Sequence, residues 1–215
     1  MEDRNLFITF EGIDGSGKDT QLYRLAEMIR EDNDLFGDKY SNIWITREPT
    51  KMTEPGREIS RLLKTRHVGL EEATRYFIED RLAHTQIIRQ ELENSHVLCS
   101  RYDLSTLTYQ YAQGMPLERL YDMHKCGEED GTLIPDVTLF FDLTAEEAAK
   151  RMSKRRSEKE YFETLDFQKD VRKKSYEVMD YLSDRDGRKI VVVDANQPID
   201  DVADEMYHKL KDMRF

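Results

Sequence analysis

The sequence predicts an α/β fold in which a parallel sheet of five strands is flanked by helices. Five short apolar runs lack the alternation of polar and apolar residues that half-exposed strands show, which is typical of strands buried on both faces. Segments with helical spacing of apolar residues separate these runs, and this order favours a parallel sheet. The predicted strands are LFITF (6–10), NIWIT (42–46), HVLCS (96–100), DVTLFF (136–141) and KIVVVD (189–194).

The predicted helices follow the strands in order. The first comes after a glycine-rich stretch at 12–17, and residues 71–94 and 102–113 are predicted as helices before and after the third strand. The stretch 114–135 is punctuated by glycine and proline, so we expect a long connection that can hold a short helix. The segment 202–210 is amphipathic enough to cover the last strand. The apolar positions that indicate the first two helices are Leu22, Leu25, Ala26 and Ile29, then Ile59, Leu62 and Leu63.

The composition indicates a globular chain with a single domain, residues 1–215. Hydrophobic residues make up 38% of the chain and charged residues 36%, and the net charge is −11. Nucleic acids are bound by broad basic faces, so this charge argues against a nucleic-acid partner. No apolar run approaches the roughly 20 residues that cross a bilayer, so no membrane partner is expected. Cys99 and Cys126 do not form a disulfide framework, and no N-terminal signal is evident, so we expect a cytoplasmic protein.

The glycine-rich stretch has the spacing of a phosphate-binding loop, G-x-x-x-x-G-K, from Gly12 to Lys18. It lies between a buried strand and an amphipathic helix. Glycines allow successive amide groups to face an anion, and the helix adds its positive end. Lys18 is then expected to reach the outer phosphates of ATP; the alternative is an ordinary turn. The predicted ATP-binding residues here are Gly12, Ile13, Asp14, Gly15, Ser16, Gly17, Lys18, Asp19 and Thr20.

Asp19 departs from the usual loop, in which a hydroxyl side chain after the lysine holds Mg²⁺. Three interpretations compete. Asp19 can itself be a direct or water-mediated Mg²⁺ ligand, because Mg²⁺ prefers hard oxygen donors. The residue can instead be an inactivating substitution. Or Asp19 can turn away and leave the metal to Thr20, although Thr20 points roughly 100° elsewhere on the helix.

Five motifs, in their order along the chain, resemble the thymidylate kinase family. They are FEGIDGSGK, TREP, FIEDR, SRYDLSTLTYQ and PDVTLFFDL, and the resemblance extends from residue 6 to about residue 200. It implies a P-loop fold with a mobile basic lid, transfer of a phosphoryl group from ATP to dTMP with Mg²⁺, and a homodimer. The glycine loop alone would indicate only a nucleotide-binding protein.

The resemblance assigns the acceptor site residue by residue. Asp14 receives the 3′-hydroxyl of dTMP, Phe77 stacks on thymine and Arg81 is offered to the base. Arg101 clamps the 5′-phosphate, and Arg47 contributes similarly. One face of the next helix meets the base and the deoxyribose: Ser105, Thr106, Tyr109 and Gln110. The alternatives are structural: an aspartate that stabilises a helix start, a core phenylalanine beside a surface arginine, and a core tyrosine.

The basic cluster KRMSKRR (150–156) stands out in an acidic chain, follows a predicted helix and resembles the family's lid, at about 150–163. Some family members carry a catalytic arginine in the glycine loop, at the position of Gly15 here. Glycine cannot perform that role, so the resemblance implies that the lid supplies it. The candidates are Arg151, Arg155 and Arg156, one of which can instead stack on adenine. Asn196 and Gln197 resemble the loop beside adenine; any connection after a strand can look the same.

The family motif before the phosphate-clamping arginine is normally Asp-Arg-Tyr, whereas this chain has Ser100-Arg101-Tyr102. The carboxylate and the hydroxyl are therefore exchanged between Asp19 and Ser100. An exchange preserves the local charge, so we interpret both residues as joint Mg²⁺ ligands; coincidental substitutions are the alternative. Two other functions remain open: a kinase for another monophosphate such as dUMP, and a regulatory nucleotide-binding protein that has lost catalysis.

Overall fold

The computed structural model describes residues 4–31, 42–65, 68–125, 127–153 and 165–213. Its strands are β1 (Phe7–Glu11), β2 (Asn42–Arg47), β3 (Ser95–Ser100), β4 (Val137–Asp142) and β5 (Ile190–Asp194). Its helices are α1 (Lys18–Glu31), α2 (Glu54–Thr65), α3 (Leu70–Glu91), α4 (Asp103–Ala112), α5 (Leu117–His124), α6 (Ala145–Ser153), α7 (Leu165–Asp186) and α8 (Ile199–Asp212). The predicted α/β class is confirmed.

The sheet has the order β2-β3-β1-β4-β5, and all its recorded strand pairs are parallel. Each predicted apolar run forms a strand, with ends shifted by no more than one residue. β1 and β3 are buried along their whole length, which explains why their sequences lack alternation. Phe10 of β1 is paired with Ser100 of β3, so the carboxyl ends of these two strands lie side by side. The glycine loop and the SRY segment therefore leave the sheet as neighbours.

Two helices differ from the prediction. The basic cluster was expected to follow a helix, but α6 continues to Ser153, so Lys150 and Arg151 are helical. The 22-residue helix α7 was not individually predicted, because its sequence is dominated by charge. Its buried stripe, which packs the helix onto the core, consists of Gln168, Val171, Ser175, Val178, Met179 and Leu182.

The other predicted helices are confirmed, although α3 ends at Glu91, three residues before the predicted end at 94. The connection after α4 contains the short helix α5, as expected. α8 covers the sheet with the predicted apolar face, which buries Val202, Ala203, Met206 and Leu210. Cys99 is a free, buried thiol in β3, and Cys126 lies outside the described residues. None of the helices in the described part of the chain has the length and apolar character needed to cross a membrane.

Candidate active site

The glycine loop forms a tight turn between β1 and α1. Gly12, Gly15 and Gly17 have φ angles of +138°, +85° and +84°. At Gly12 a side chain is also excluded by space, because a Cβ there would lie 2.6 Å from the carbonyl oxygen of Phe141. The positive φ angles at these three positions let amide groups of the loop face one side, next to the N-terminus of α1. This backbone suits a phosphate group.

Lys18 is the first residue of α1, and only 5% of it is exposed. Its Nζ lies 3.5 Å from the carbonyl oxygen of Ile13 and 3.8 Å from Oδ1 of Asp14. Burial, followed by the positive charge of Arg101, lowers the pKa of Lys18 from 10.5 to about 8. The positive charge of Lys18 is thus only partly compensated by the two neighbouring oxygens. An anion bound in the loop would compensate it further.

Asp14 and Arg101, both predicted to bind the acceptor, are in direct contact. Nη2 of Arg101 donates to Oδ1 of Asp14, and Nη1 donates to Oγ of Ser105 at 3.1 Å. The guanidinium carbon also lies 5.5 Å from the centre of the Tyr109 ring. Arg101 follows the end of β3, and Arg47 is the exposed last residue of β2. Both arginines therefore lie at the carboxyl edge of the sheet, where open α/β sheets bind ligands.

Arg81 occupies a buried network, with only 1% of the residue exposed. Its Nε donates to Oε2 of Glu48 at 2.7 Å, and its Nη1 contacts Nε2 of His124 at 2.7 Å. Its Nη2 donates to the carbonyl oxygen of Tyr102 at 2.9 Å and to Oγ1 of Thr106 at 3.0 Å. The guanidinium is thus held by protein groups, one of which is itself a predicted substrate residue.

The network also fixes the protonation of His124. Arginine can only donate, so Nε2 of His124 accepts the hydrogen bond from Arg81. The ring hydrogen of His124 is therefore on Nδ1, which donates to the carbonyl oxygen of Leu120 at 2.6 Å. Burial, followed by the positive charge of Arg81, lowers the pKa of His124 from 6.5 to about 4. His124 is therefore neutral near pH 7. On the other side, His84 links Oε1 of Glu48, 3.0 Å from its Nδ1, to the hydroxyl of Thr46, 2.8 Å from its Nε2.

The remaining predicted acceptor residues lie on α3 and α4. Phe77 is half-buried and stands one turn before Arg81 on α3. On α4, Thr106 and Gln110 are buried, whereas Ser105 and Tyr109 are half-buried. The base-binding roles of these residues stay predictions.

Asp19 and Ser100 are brought into direct contact. Ser100 is the buried last residue of β3, and its Oγ donates to Oδ1 of Asp19 in the first turn of α1. Both Asp19 and Thr20 are exposed. Within the described residues, no cluster of three or more His, Cys, Asp or Glu side chains could hold a metal ion. A cation at this position would therefore take oxygens from Asp19, Ser100, water and a bound nucleotide.

Arg151 of α6 connects the glycine loop with the turn after β5. Its Nη2 donates to the carbonyl oxygen of Ala195 at 2.9 Å, and its Nη1 lies 3.5 Å from that of Gly15. In the same turn, Oδ1 of Asn196 accepts from the Thr144 amide at 3.2 Å, while Nε2 of Gln197 donates to the Asp194 carbonyl at 3.2 Å. The other lid candidates, Arg155 and Arg156, lie outside the described residues.

The sequence did not predict two buried acids that hold this site together. They are Glu11 and Glu48, each at most 2% exposed. Glu48 is part of the TREP motif, and its position directly after a strand-end arginine was the one available signal. Glu11 ends β1, and an acid at the end of an otherwise apolar strand could have been recognised as a buried anchor.

Comparisons with known proteins agree on one family. The family model described as thymidylate kinase matches residues 10–206. A probable thymidylate kinase of Methanococcus maripaludis is 34% identical over 211 residues, which cover 97% of this chain and 96% of that protein. A thymidylate kinase of Mycoplasmopsis agalactiae is 32% identical, with coverage of 95% and 94%. One from Staphylococcus haemolyticus is 31% identical, with coverage of 94% and 95%.

Proposed function

Because this chain belongs to the thymidylate kinase family, we propose that it transfers the γ-phosphoryl group of ATP to dTMP and releases dTDP and ADP. The observation that carries the proposal is the contact between Asp14 of the glycine loop and Arg101 after β3. It joins a loop suited to donor phosphates to an arginine suited to an acceptor phosphate. A protein that only bound ATP would have no use for the second group.

The proposed reaction is an in-line transfer. An oxygen of the dTMP phosphate bonds to the γ-phosphorus of ATP as the bond from that phosphorus to the bridging oxygen breaks. Catalysis of this kind consists of positioning and charge stabilisation. Lys18 and the loop amides hold the donor phosphates, Arg101 holds the acceptor phosphate, and Asp14 accepts the 3′-hydroxyl. Arg151, Arg155 and Arg156 are the proposed sources of positive charge at the transferred group.

The oxygen donors of Asp19 and Ser100 fit Mg²⁺, which prefers carboxylate, hydroxyl and phosphate oxygens. When bound, the ion would neutralise charge on the donor phosphates. In the protein as described, the hydroxyl of Ser100 already donates to Asp19, so the two side chains share one position beside Lys18. We propose that they hold the ion jointly, in exchanged roles.

Exchanging the two residues back tests this proposal. Asp19→Thr leaves no carboxylate at the position, and Ser100→Asp leaves two in contact, so each single variant should bind Mg²⁺ with ADP more weakly or less selectively and turn over more slowly. The double variant restores one carboxylate and one hydroxyl. It should recover both properties, with a coupling energy of roughly 1–3 kcal/mol. Calorimetric Mg²⁺ titration of the ADP complex and Mg²⁺-dependent turnover are the measurements. A double variant no better than the worse single variant would refute the exchange.

The activity itself is tested by coupled ADP release with ATP, Mg²⁺ and a panel of deoxy- and ribonucleoside monophosphates. We expect kcat/KM to be highest for dTMP, since kcat/KM is the quantity that measures discrimination. A higher value for dUMP would favour the alternative acceptor, and ATP binding without ADP release would favour a regulatory protein. We also propose that the enzyme works as a cytoplasmic homodimer, which light scattering of the purified protein would test for the oligomeric state.

A further inference from the structure

We propose that Glu11 is a positioning residue for the acceptor phosphate: it holds the hydroxyl of Ser105, which in turn holds the guanidinium of Arg101. The inference rests on the proposed function, in which Arg101 binds the phosphate of dTMP. Glu11 is the last residue of β1, and none of its surface is exposed. It can therefore act on the substrate only through its neighbours.

The carboxylate of Glu11 has three hydrogen-bond donors around it, all from the start of α4. Oε1 accepts from the amide of Tyr102 at 2.7 Å and from the amide of Ser105 at 3.2 Å, and Oε2 accepts from Oγ of Ser105 at 2.5 Å. Burial raises the pKa of Glu11, whereas the hydrogen bond from Ser105 and the charge of Arg101 oppose that rise. The arrangement is that of an anion held by dedicated donors.

Glu11 caps the N-terminus of α4, which has no capping side chain of its own. The N-cap residue of α4 is Tyr102, whose side chain makes no capping hydrogen bond. The first amides of a helix need partners, and a negative charge at this end is favourable. Glu11 supplies both from the neighbouring strand. The first turn of α4, which carries Ser105, is thereby fixed relative to the glycine loop that begins at the next residue, Gly12.

The hydroxyl of Ser105 connects Glu11 to the side chain of Arg101. The hydroxyl of Ser105 has one hydrogen, and it is donated to Glu11, so the Ser105 oxygen is left to accept from Nη1 of Arg101 at 3.1 Å. Nη2 of Arg101 donates to Asp14. The guanidinium is thus held at both ends, by Ser105 and by Asp14, which fixes the plane it presents.

The backbone of Arg101 gives a second reason why such support is needed. Its φ angle is +63°, in the left-handed region that residues with a side chain rarely occupy. Such conformations persist where surrounding contacts enforce them, and they are concentrated at functional sites. The amide of Arg101 donates to the carbonyl of Phe10 at 2.9 Å, one residue before Glu11. The end of β1 therefore fixes both the backbone and the side chain of Arg101.

The test compares the binding of dTMP with that of thymidine, which shares the base and the sugar but lacks the phosphate. Glu11→Gln keeps the shape of the side chain but removes the charge and one acceptor. We expect it to weaken dTMP binding roughly tenfold and to leave thymidine binding unchanged, as measured by calorimetry. A purely structural role would weaken both ligands in parallel, and that result, or no change in either, would overturn the inference.

Ser105→Ala is the second variant, and it remains informative if Glu11→Gln does not fold. It removes the link to Arg101 but leaves both backbone amides bonded to Glu11. The dTMP to thymidine affinity ratio should fall as in Glu11→Gln, and the double variant should lose little more than either single variant, because both interrupt one chain of hydrogen bonds. An unchanged ratio in Ser105→Ala would contradict the inference.

Arg101→Met separates this inference from the proposed function. If Arg101 binds the acceptor phosphate, its removal should abolish the preference for dTMP over thymidine. An unchanged preference in Arg101→Met would refute the phosphate clamp itself. A lost preference in Arg101→Met, with the preference intact in Glu11→Gln and Ser105→Ala, would leave the proposed function standing and refute only the positioning role of Glu11.

Discussion

A Lys18→Met variant should lose turnover by a factor of about 10²–10³ or more, while unfolding at a temperature no lower than that of the unchanged protein. Removal of one preorganised donor to charge that develops in the transition state costs about this factor in other enzymes. Lys18 is the predicted donor to the outer phosphates and has only 5% of its surface exposed. Methionine keeps much of the length of the side chain and removes its charge.

The stability of the variant follows from the pKa of Lys18. Its lowering to about 8 means that the fold disfavours the charged lysine, with burial as the first cause. A shift of this size corresponds to roughly 3 kcal/mol. The uncharged methionine avoids that cost. Between about pH 8 and 10.5 the unfolded chain binds more protons at this residue than the folded chain, so the stability of the unchanged protein should rise there relative to that of Lys18→Met.

Urea unfolding at pH 7 and pH 9.5, together with coupled ADP release, measures both effects. Lys169→Met is a suitable control, because Lys169 is an exposed lysine that pairs with Glu146 at 2.8 Å, away from the loop. It should change neither turnover nor, by more than about 1 kcal/mol, stability. If Lys18→Met kept more than a tenth of the turnover, Lys18 would not be the donor to the transferred charge.

The sheet could be predicted from the sequence because its signal is local. A strand buried on both faces is a short apolar run, and every such run here became a strand. α7 gave no comparable signal, since only a narrow stripe that includes Val171, Val178 and Leu182 is buried and charged residues surround it. The interpretation of Asp19 and Ser100 as joint ligands requires the two residues to be neighbours. They are in contact, because β3 lies next to the loop helix, as the fold class already implies.

The supporting residues of the site could not be predicted in the same way. Glu11 meets Ser105 and Glu48 meets Arg81 across long stretches of chain, and neither pairing leaves a periodic pattern. His124 lies in a short helix of an irregular connection, where nothing in the sequence marks it as a partner of Arg81. Motifs therefore indicated the candidate nucleotide-binding residues, whereas the contacts that orient these residues depend on how distant segments meet.

Glu48→Ala should have the largest effect on stability, a loss of roughly 3–5 kcal/mol in the free energy of unfolding. This is the usual cost of removing one partner of a buried ion pair, because the remaining charge is left uncompensated. The side chains of Glu48 and Arg81 are each only 2% exposed, and Glu48 also holds Nδ1 of His84 at 3.0 Å. Chemical unfolding at pH 7 measures the loss.

The control is the same change in an exposed pair. Arg119 donates to Glu71 through two hydrogen bonds, at 2.9 and 3.1 Å, but the two side chains are 54% and 63% exposed. Glu71→Ala should therefore cost no more than about 1 kcal/mol.

A second comparison separates lost charge compensation from lost packing: Glu48→Leu combined with Arg81→Met replaces the pair by apolar groups and should be more stable than Glu48→Ala. If Glu48→Ala cost no more than Glu71→Ala, the charge of Arg81 would not depend on Glu48. The network around Arg81 would then not be the anchor that holds α3 against the TREP segment and α4.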